Sequence, residues 1–290
     1  MGCDIHTLAE VRREVYDSEK REFVPAPEGT PWEAITASVF TSPYFHEDEP
    51  RSIYNTPLTN EPYNGRNYVL FSLLADVRNT RHTSNIFDSS MEYEERDAIL
   101  PIALPKGTPD DASKKWRKEV KRWGRDFHSN SYFTLQELLD AIEAGAFNQS
   151  ITERGYVSLG QYLDYMEKGV TPQSWSSYTS ADSMKTEEWE ALSDDEKKPY
   201  LDAIVPMPFG DTSLRSGGNV YIRMTWEWNL IESLDQFLRT IEELKLNAPR
   251  KLKQSVREMP WQQRQQTKLT LEETWDYDYT GIRIVFAFDN

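Results

Sequence analysis

The sequence predicts an α+β fold. It reads as one domain whose sheet includes strands from both ends of the chain, with several amphipathic helices and a polar insertion over residues 171–186. Three observations carry this expectation. Residues 3–11 alternate with period two. Residues 282–286 place Ile282, Ile284 and Phe286 on one strand face with Val285 opposite. Between these ends, apolar residues recur mostly at three- and four-residue steps, without the strand–helix–strand rhythm of a parallel sheet.

In the opening segment Cys3, Ile5, Thr7, Ala9 and Val11 share one face, and Asp4, His6, Leu8 and Glu10 the other. A second strand, Glu22 to Val24, is joined to it through polar Asp17-Ser18-Glu19-Lys20, so a hairpin is expected. Residues 25–65 are rich in Pro, Gly, Glu and Asn and read as loop, with an extended stretch at Ile35 to Phe40. Asn67 to Val77 is a helix, because Val69, Leu70, Leu73, Leu74 and Val77 make one apolar stripe. Residues 79–112 show no period. Ser113 caps a helix to about Trp123 that buries Trp116, Val120 and Trp123. Ser131 or Thr134 caps another, through Leu135, Leu138, Leu139 and Ile142 to near Gly145. Val157 to Met166 reads as a short helix, and Ser193-Asp-Asp-Glu opens a further one. Tyr221 to Trp228 alternates as a strand, and Leu230 to Leu246 carries the clearest helical stripe. The closing strand offers an apolar face that is best buried beside the opening one. That pairing would bring Asp289 and Asn290 out near Asp4 and His6.

Composition bounds the function classes. The chain has 290 residues, 38% hydrophobic and 12% aromatic, enough for a substantial core. Its 48 acidic against 33 basic residues give a formal charge of −15. That balance weighs against a surface that tracks phosphates throughout, so nucleic acid is not expected as a general partner. Apolar runs are too short and interrupted to span a bilayer. One cysteine fits a reducing cytoplasm.

The sharpest chemical signal is a repeated Asp-x-His. Two of the four histidines sit in it, as Asp4-x-His6 and Asp126-x-His128. On a strand, positions i and i+2 point the same way. Two such pairs, if they converge, make an N₂O₂ set suited to divalent Zn, Mn or Fe. The same residues admit a metal-free reading, in which each Asp orients its neighbouring His or caps a turn. Arg66, Asn67, Asp76 and Arg78 flank the polar side of the first helix. Arg78 and Arg66 are candidate receptors for an anionic group and Asp76 a further ligand or base, or Arg78 forms a surface ion pair with Asp76 or another carboxylate. The helix after Ser113 holds Lys114, Lys115, Lys118, Lys121, Arg122 and Arg125 against Glu119. A second basic run spans Arg250, Lys251, Lys253, Arg257, Arg264 and Lys268. Such runs bind nucleic acid or a nucleotide, pair with acidic surface elsewhere, or form a solvated face.

Several segments together resemble a family of bacteriophage and prophage proteins. They are Met1-Gly2-Cys3-Asp4-Ile5-His6, Arg66-Asn67-Tyr68 with Leu74-Ala75-Asp76-Val77-Arg78-Asn79, Gly107 to Ser113, Asp126-Phe127-His128-Ser129-Asn130-Ser131, and the ending Phe288-Asp289-Asn290. Thr108 stands where the family has Leu, and Tyr132-Phe133 where it has Trp-Leu. The resemblance implies a phage source and the cytoplasm of a host cell, and it brings no activity. The leading expectation is a metal-dependent hydrolase acting on a phosphorylated small molecule or nucleotide. Asp4, His6, Asp126 and His128 would hold the ion, with Asp76 and Arg78 beside it. The alternative is a non-catalytic acidic protein that inhibits a host enzyme or defence nuclease.

Overall fold

The structure, a computed structural model, describes residues 3–20, 22–41, 58–79, 82–83, 94–172, 183–206, 215–217 and 220–289. In chain order the strands are β1 (Ile5–Val11), β2 (Val15–Asp17), β3 (Glu22–Val24), β4 (Glu33–Ala34), β5 (Phe40–Thr41), β6 (Leu58–Thr59), β7 (His82–Thr83), β8 (Glu94–Arg96), β9 (His128–Thr134), β10 (Ser150–Ser158), β11 (Ser183–Lys185), β12 (Ile204–Pro206), β13 (Arg215–Gly217), β14 (Tyr221–Asn229), β15 (Arg250–Leu252), β16 (Trp275–Tyr277) and β17 (Ile282–Phe288). The helices are α1 (Tyr68–Ala75), α2 (Lys114–Trp123), α3 (Leu135–Glu143), α4 (Leu159–Lys168), α5 (Thr186–Ala191), α6 (Asp194–Asp202), α7 (Asp235–Asn247), α8 (Gln254–Arg257), α9 (Trp261–Gln266) and α10 (Leu271–Thr274). The fold is α+β. The sequence reads as one domain, and the elements gather into two compact units. The first is built from Met1–Arg78, Leu100–Asn148 and Ser233–Asn290, the second from Asn79–Ile99 and Gln149–Glu232.

The first unit is organised by a four-stranded sheet in the order β4-β1-β17-β9. The strands from the two ends of the chain pair antiparallel, from Ile5 with Phe288 to Val11 with Ile282. β17 is central and buried along its whole length, as expected of a strand covered on both faces that is apolar apart from Arg283. The alternation in β1 sorts the sheet as the sequence implied. Residues paired across a ladder share a face, so His6, Leu8 and Glu10 lie with Ala287, Val285 and Arg283. On that side Leu8, Val285 and Ala287 pack against Ala112, Trp116 and Phe127. On the other side Phe71 of α1 meets Phe288 edge-on at 4.9 Å, and Phe133 stacks with Phe286 at 5.9 Å.

Local chemistry sets the helix ends. The Asn67 side chain accepts the Leu70 amide at the start of α1, and Asp76, in the left-handed region at φ 58°, ends it. Ser113 caps α2 by accepting the Trp116 amide. Thr134 and Glu137 form a capping box on α3. Beneath α2 lies a buried ionic cluster. Arg283, 3% exposed, donates from Nε to Glu10 Oε2 at 2.8 Å and from Nη1 to Asp111 Oδ1 at 2.8 Å. Glu10 Oε1 accepts the Ser113 amide at 2.8 Å, so the cluster also holds the start of α2.

The second unit centres on a five-stranded sheet, β11-β14-β10-β8-β7. β14 buries Ile222, Met224, Trp226 and Trp228 on one face and turns Arg223, Thr225 and Glu227 to the other.

Some elements differ from the sequence reading. Residues 79–112 include β7 and β8, and the segment 25–65 contributes β4, β5 and β6. Val157 and Ser158 end β10, and the helix starts only at Leu159, because the Ser158 side chain is its cap. The long stripe from Leu230 breaks into a 3₁₀ turn, Leu230–Ser233, and then α7. Asn229 Oδ1 accepts the Ile231 amide and Glu232 accepts the Asn229 amide, which winds the strand end into a tight turn. Of the polar stretch 171–186, residues 173–182 lie outside the described residues. Ser183–Lys185 is an edge strand parallel to β14, and Thr186 begins α5. Among the described residues no helix is long and apolar enough to cross a membrane.

Candidate functional site

The site builds outward from the ends of β1 and β17. The antiparallel register of these strands continues past β17. The Asp4 amide donates to Asp289 Oδ1 at 2.8 Å, and the Asp289 amide donates to Asp4 O at 3.1 Å. The carboxylate, held at Oδ1 by the Asp4 amide, turns its other oxygen to His6, whose Nε2 lies 3.1 Å from Asp289 Oδ2. An ionised carboxylate only accepts, so Nε2 is the donor, and in the neutral imidazole this leaves the lone pair on Nδ1. Among the described residues no hydrogen bond engages Nδ1. The imidazole is flanked by Trp123 at 4.7 Å and Phe127 at 4.9 Å, which fix its plane. It is 30% exposed, and it lines a pocket of about 240 Å³ together with Asn60, Glu61, Lys115, Trp116, Glu119, Arg122 and Phe127.

Asp4 is engaged separately. Arg66 grips it with both arms, Nε to Oδ1 at 2.7 Å and Nη2 to Oδ2 at 2.8 Å. The Arg66 hydrogen bond holds the Asp4 carboxyl below the usual carboxylate range. Arg66 therefore orders Asp4, where the sequence allowed it to receive a free anion.

The remaining sequence candidates lie elsewhere. Phe288 pairs with both Ile5 and His128, and His6 pairs with Ala287. His128 therefore shares the Phe288 face, and its ring stacks on Phe288 at 6.0 Å. His6 is on the opposite face of the sheet. The two imidazoles do not converge, because their positions differ in parity relative to β17. His128 Nδ1 lies 3.1 Å from Ser129 Oγ, and its buried Nε2 has no partner among the described residues. Asp126 is exposed on the 3₁₀ turn Gly124–Asp126. Asp76 is exposed at the end of α1. Arg78 sits over the Tyr68 ring at 5.9 Å and hydrogen-bonds the Cys3 thiol. Burial raises that thiol's pKa, and Arg78 opposes the shift. Asp76 and Arg78 thus belong to α1, across the sheet from the His6 pocket. Among the described residues no group of three or more His, Cys, Asp or Glu is arranged to hold a metal ion.

Two features of the site could not be read as one from the sequence. Lys115 and Arg122 stand in a basic run, and nothing in their spacing ties them to His6. The tie is the packing of α2 on the β1 face through Trp116 and Phe127. No protein-family model, no curated protein and no solved structure matches the chain.

Proposed function

We propose that the protein acts on a small anionic molecule, phosphorylated or carboxylated, by proton transfer at His6. The observation that carries this reading is the His6–Asp289 pair, 3.1 Å apart, at the wall of a pocket that also presents Lys115 and Arg122. Asp289 fixes the tautomer that leaves Nδ1 basic, and the aromatic flanks fix the ring. Lys115 has no carboxylate partner among the described residues, and Arg122 is only loosely paired with Glu119 at 3.5 Å. Both are available to an anion. In the hydrolytic form of the proposal, His6 Nδ1 takes a proton from water as its oxygen attacks the ester phosphorus or carbon. The bond to the leaving group breaks, and the imidazolium returns the proton to the leaving oxygen.

The divalent Zn, Mn or Fe ion expected from Asp4, His6, Asp126 and His128 plays no part in this reading, because the sheet register separates the two histidines. The resemblance to phage proteins extends the proposal to the cytoplasm of an infected host cell.

The test is turnover by the purified chain of a panel of nucleotides, sugar phosphates and carboxylate esters, followed by released phosphate or acid. His6→Asn and Asp289→Asn are expected to lower the rate at least 100-fold while circular dichroism stays unchanged. No turnover of any panel member, or full activity in both variants, overturns the proposal. The first of these outcomes moves the reading to an acidic inhibitor of a host enzyme.

A further inference from the structure

Helix α2, with the short turn that follows it, carries a second feature, of which only Arg122 also lines the pocket. Lys114, Arg117, Lys118, Lys121, Arg122 and Arg125 fall at steps of three, four, seven, eight and eleven residues from the first. Through Arg122 that spacing is one continuous stripe of the helix, Arg125 lies beyond Gly124 on the following turn, and all six residues are exposed. The opposite stripe, Trp116, Val120 and Trp123, faces the β1 sheet. Among the described residues, Lys114, Lys118, Lys121 and Arg125 have no hydrogen-bond or ion-pair partner. Arg117 donates to the Asp110 carbonyl, and Arg122 pairs with Glu119. Asp126 follows the stripe at its end.

This arrangement works against the helix. Lys114 and Lys118, Arg117 and Lys121, and Lys118 and Arg122 are like charges four residues apart on the helix, which repel. Lys114 and Lys115 also occupy the first turn, where the helix dipole disfavours cations and no acidic residue offsets them. Lys121 and Arg122 suit the last turn, but in a chain of net charge −15 the concentration as a whole exceeds what capping the helix requires.

We infer that the outer face of α2 binds the phosphate backbone of a nucleic acid without reading its sequence. The charge density supports this partner. The eight steps of helix from Lys114 to Arg122 rise about 12 Å, which sets five cations roughly 3 Å apart along the axis. One strand of a duplex presents a phosphate about every 3.4 Å of axis. An extended acidic peptide directs a carboxylate to one side only about every 6.6 Å, a poorer match. The acidic remainder of the surface then confines contact to this stripe. The inference shares only Arg122 with the His6 reading, and Lys114, Lys118, Lys121 and Arg125 are not among the residues that line the pocket.

The experiment is fluorescence anisotropy of a labelled 20-base-pair DNA duplex titrated with the full chain between 50 and 200 mM salt. Saturable binding that weakens steeply with salt is expected. A variant with Lys114→Gln, Lys118→Gln, Lys121→Gln and Arg125→Gln should bind at least tenfold more weakly. Its salt dependence should be shallower by about 0.9 in log–log slope for each phosphate that is no longer neutralised. Its melting temperature should be no lower than that of the parent, because repulsion has been removed. Lys121→Glu alone should weaken binding in the same direction. His6→Asn should leave binding unchanged, which separates this result from any failure of the catalytic proposal. The inference is overturned by an absence of binding at 50 mM salt or by equal affinity in the fourfold variant. It is also overturned if polyglutamate competes as well as DNA, which would indicate an acidic protein partner.

Discussion

Arg283 is 3% exposed, and Glu10 beside it is fully buried. Two charges are seldom taken out of water without close partners, and here each charge has them, although Arg283 Nη2 makes only an ion-pair contact with Glu10 at 2.7 Å. Glu10 receives Arg283 and the Ser113 amide, while Asp111 receives Arg283 and the Trp32 indole at 3.1 Å. The guanidinium also lies 4.1 Å from the Trp32 ring centre. Removing one member leaves a buried carboxylate unpaired. Arg283→Met is therefore expected to cost about 3–5 kcal/mol of stability. Adding Glu10→Gln should recover much of that loss, because the uncompensated charge is gone. Urea unfolding of the single and double variants checks this, and a loss under ~1 kcal/mol for Arg283→Met alone contradicts it. At the same scale, the placement of Asp4 and His6 at the meeting of the two terminal strands was legible because the alternation of β1 was. His128 was not placed correctly, since its face depends on a bulge in β9 between its pairings with Phe286 and Phe288, which no local pattern announces.

Among the elements, β17 has the largest consequence. It lies between β1 and β9, and each of its residues from Ile282 to Phe288 is buried. Burying Ile284, Phe286 and Phe288 contributes about 1.5–3 kcal/mol each, a large share of a usual folding margin. Truncation after Gly281 is expected to abolish the cooperative melt of the first unit by circular dichroism. A truncated chain that kept its melting temperature would contradict the central placement of β17. The helices capped by Asn67, Ser113 and Thr134 were readable from sequence, because a polar cap before an apolar stripe is a short-range signal. β9 was not, since His128-Ser-Asn-Ser opens it without an apolar residue and only pairing with β17 makes it extended. β10 was hidden in a similar way: Thr152, Glu153 and Arg154 interrupt its alternation, and its order comes from nine ladder partners on β14.

For the molecule as a whole, acid is the informative variable. Hydrogen bonds from Arg66 depress the Asp4 pKa. At Asp111 burial raises it, but Arg283, Trp32 and Arg12 outweigh burial and the net shift is downward. At Glu137 burial again opposes, and Lys106 and the Thr134 cap prevail. A folded-state value below the unfolded one means that the folded chain binds fewer protons. The stabilisation is then complete above the ordinary carboxylate value of about 4 and is lost as pH falls through the lower folded values. Melting temperature should be flat from pH 7 to about 5 and should decline increasingly steeply below about 4. A melting temperature that held level to pH 3 would show that these carboxylates do not support the fold.

The pairing of Ile5 with Phe288 also bears on the order in which the chain closes. Two strands that touch over seven positions are separated by most of the sequence, so their ladder can form only after a very long loop has been drawn together. Antiparallel pairing nevertheless leaves their outer ends side by side. A short glycine-rich bridge between those ends would turn the most distant pairing of the first unit into a hairpin. A new opening at the Ser18–Glu19 turn would then give a permuted chain with the same ladders and a much smaller search before they meet.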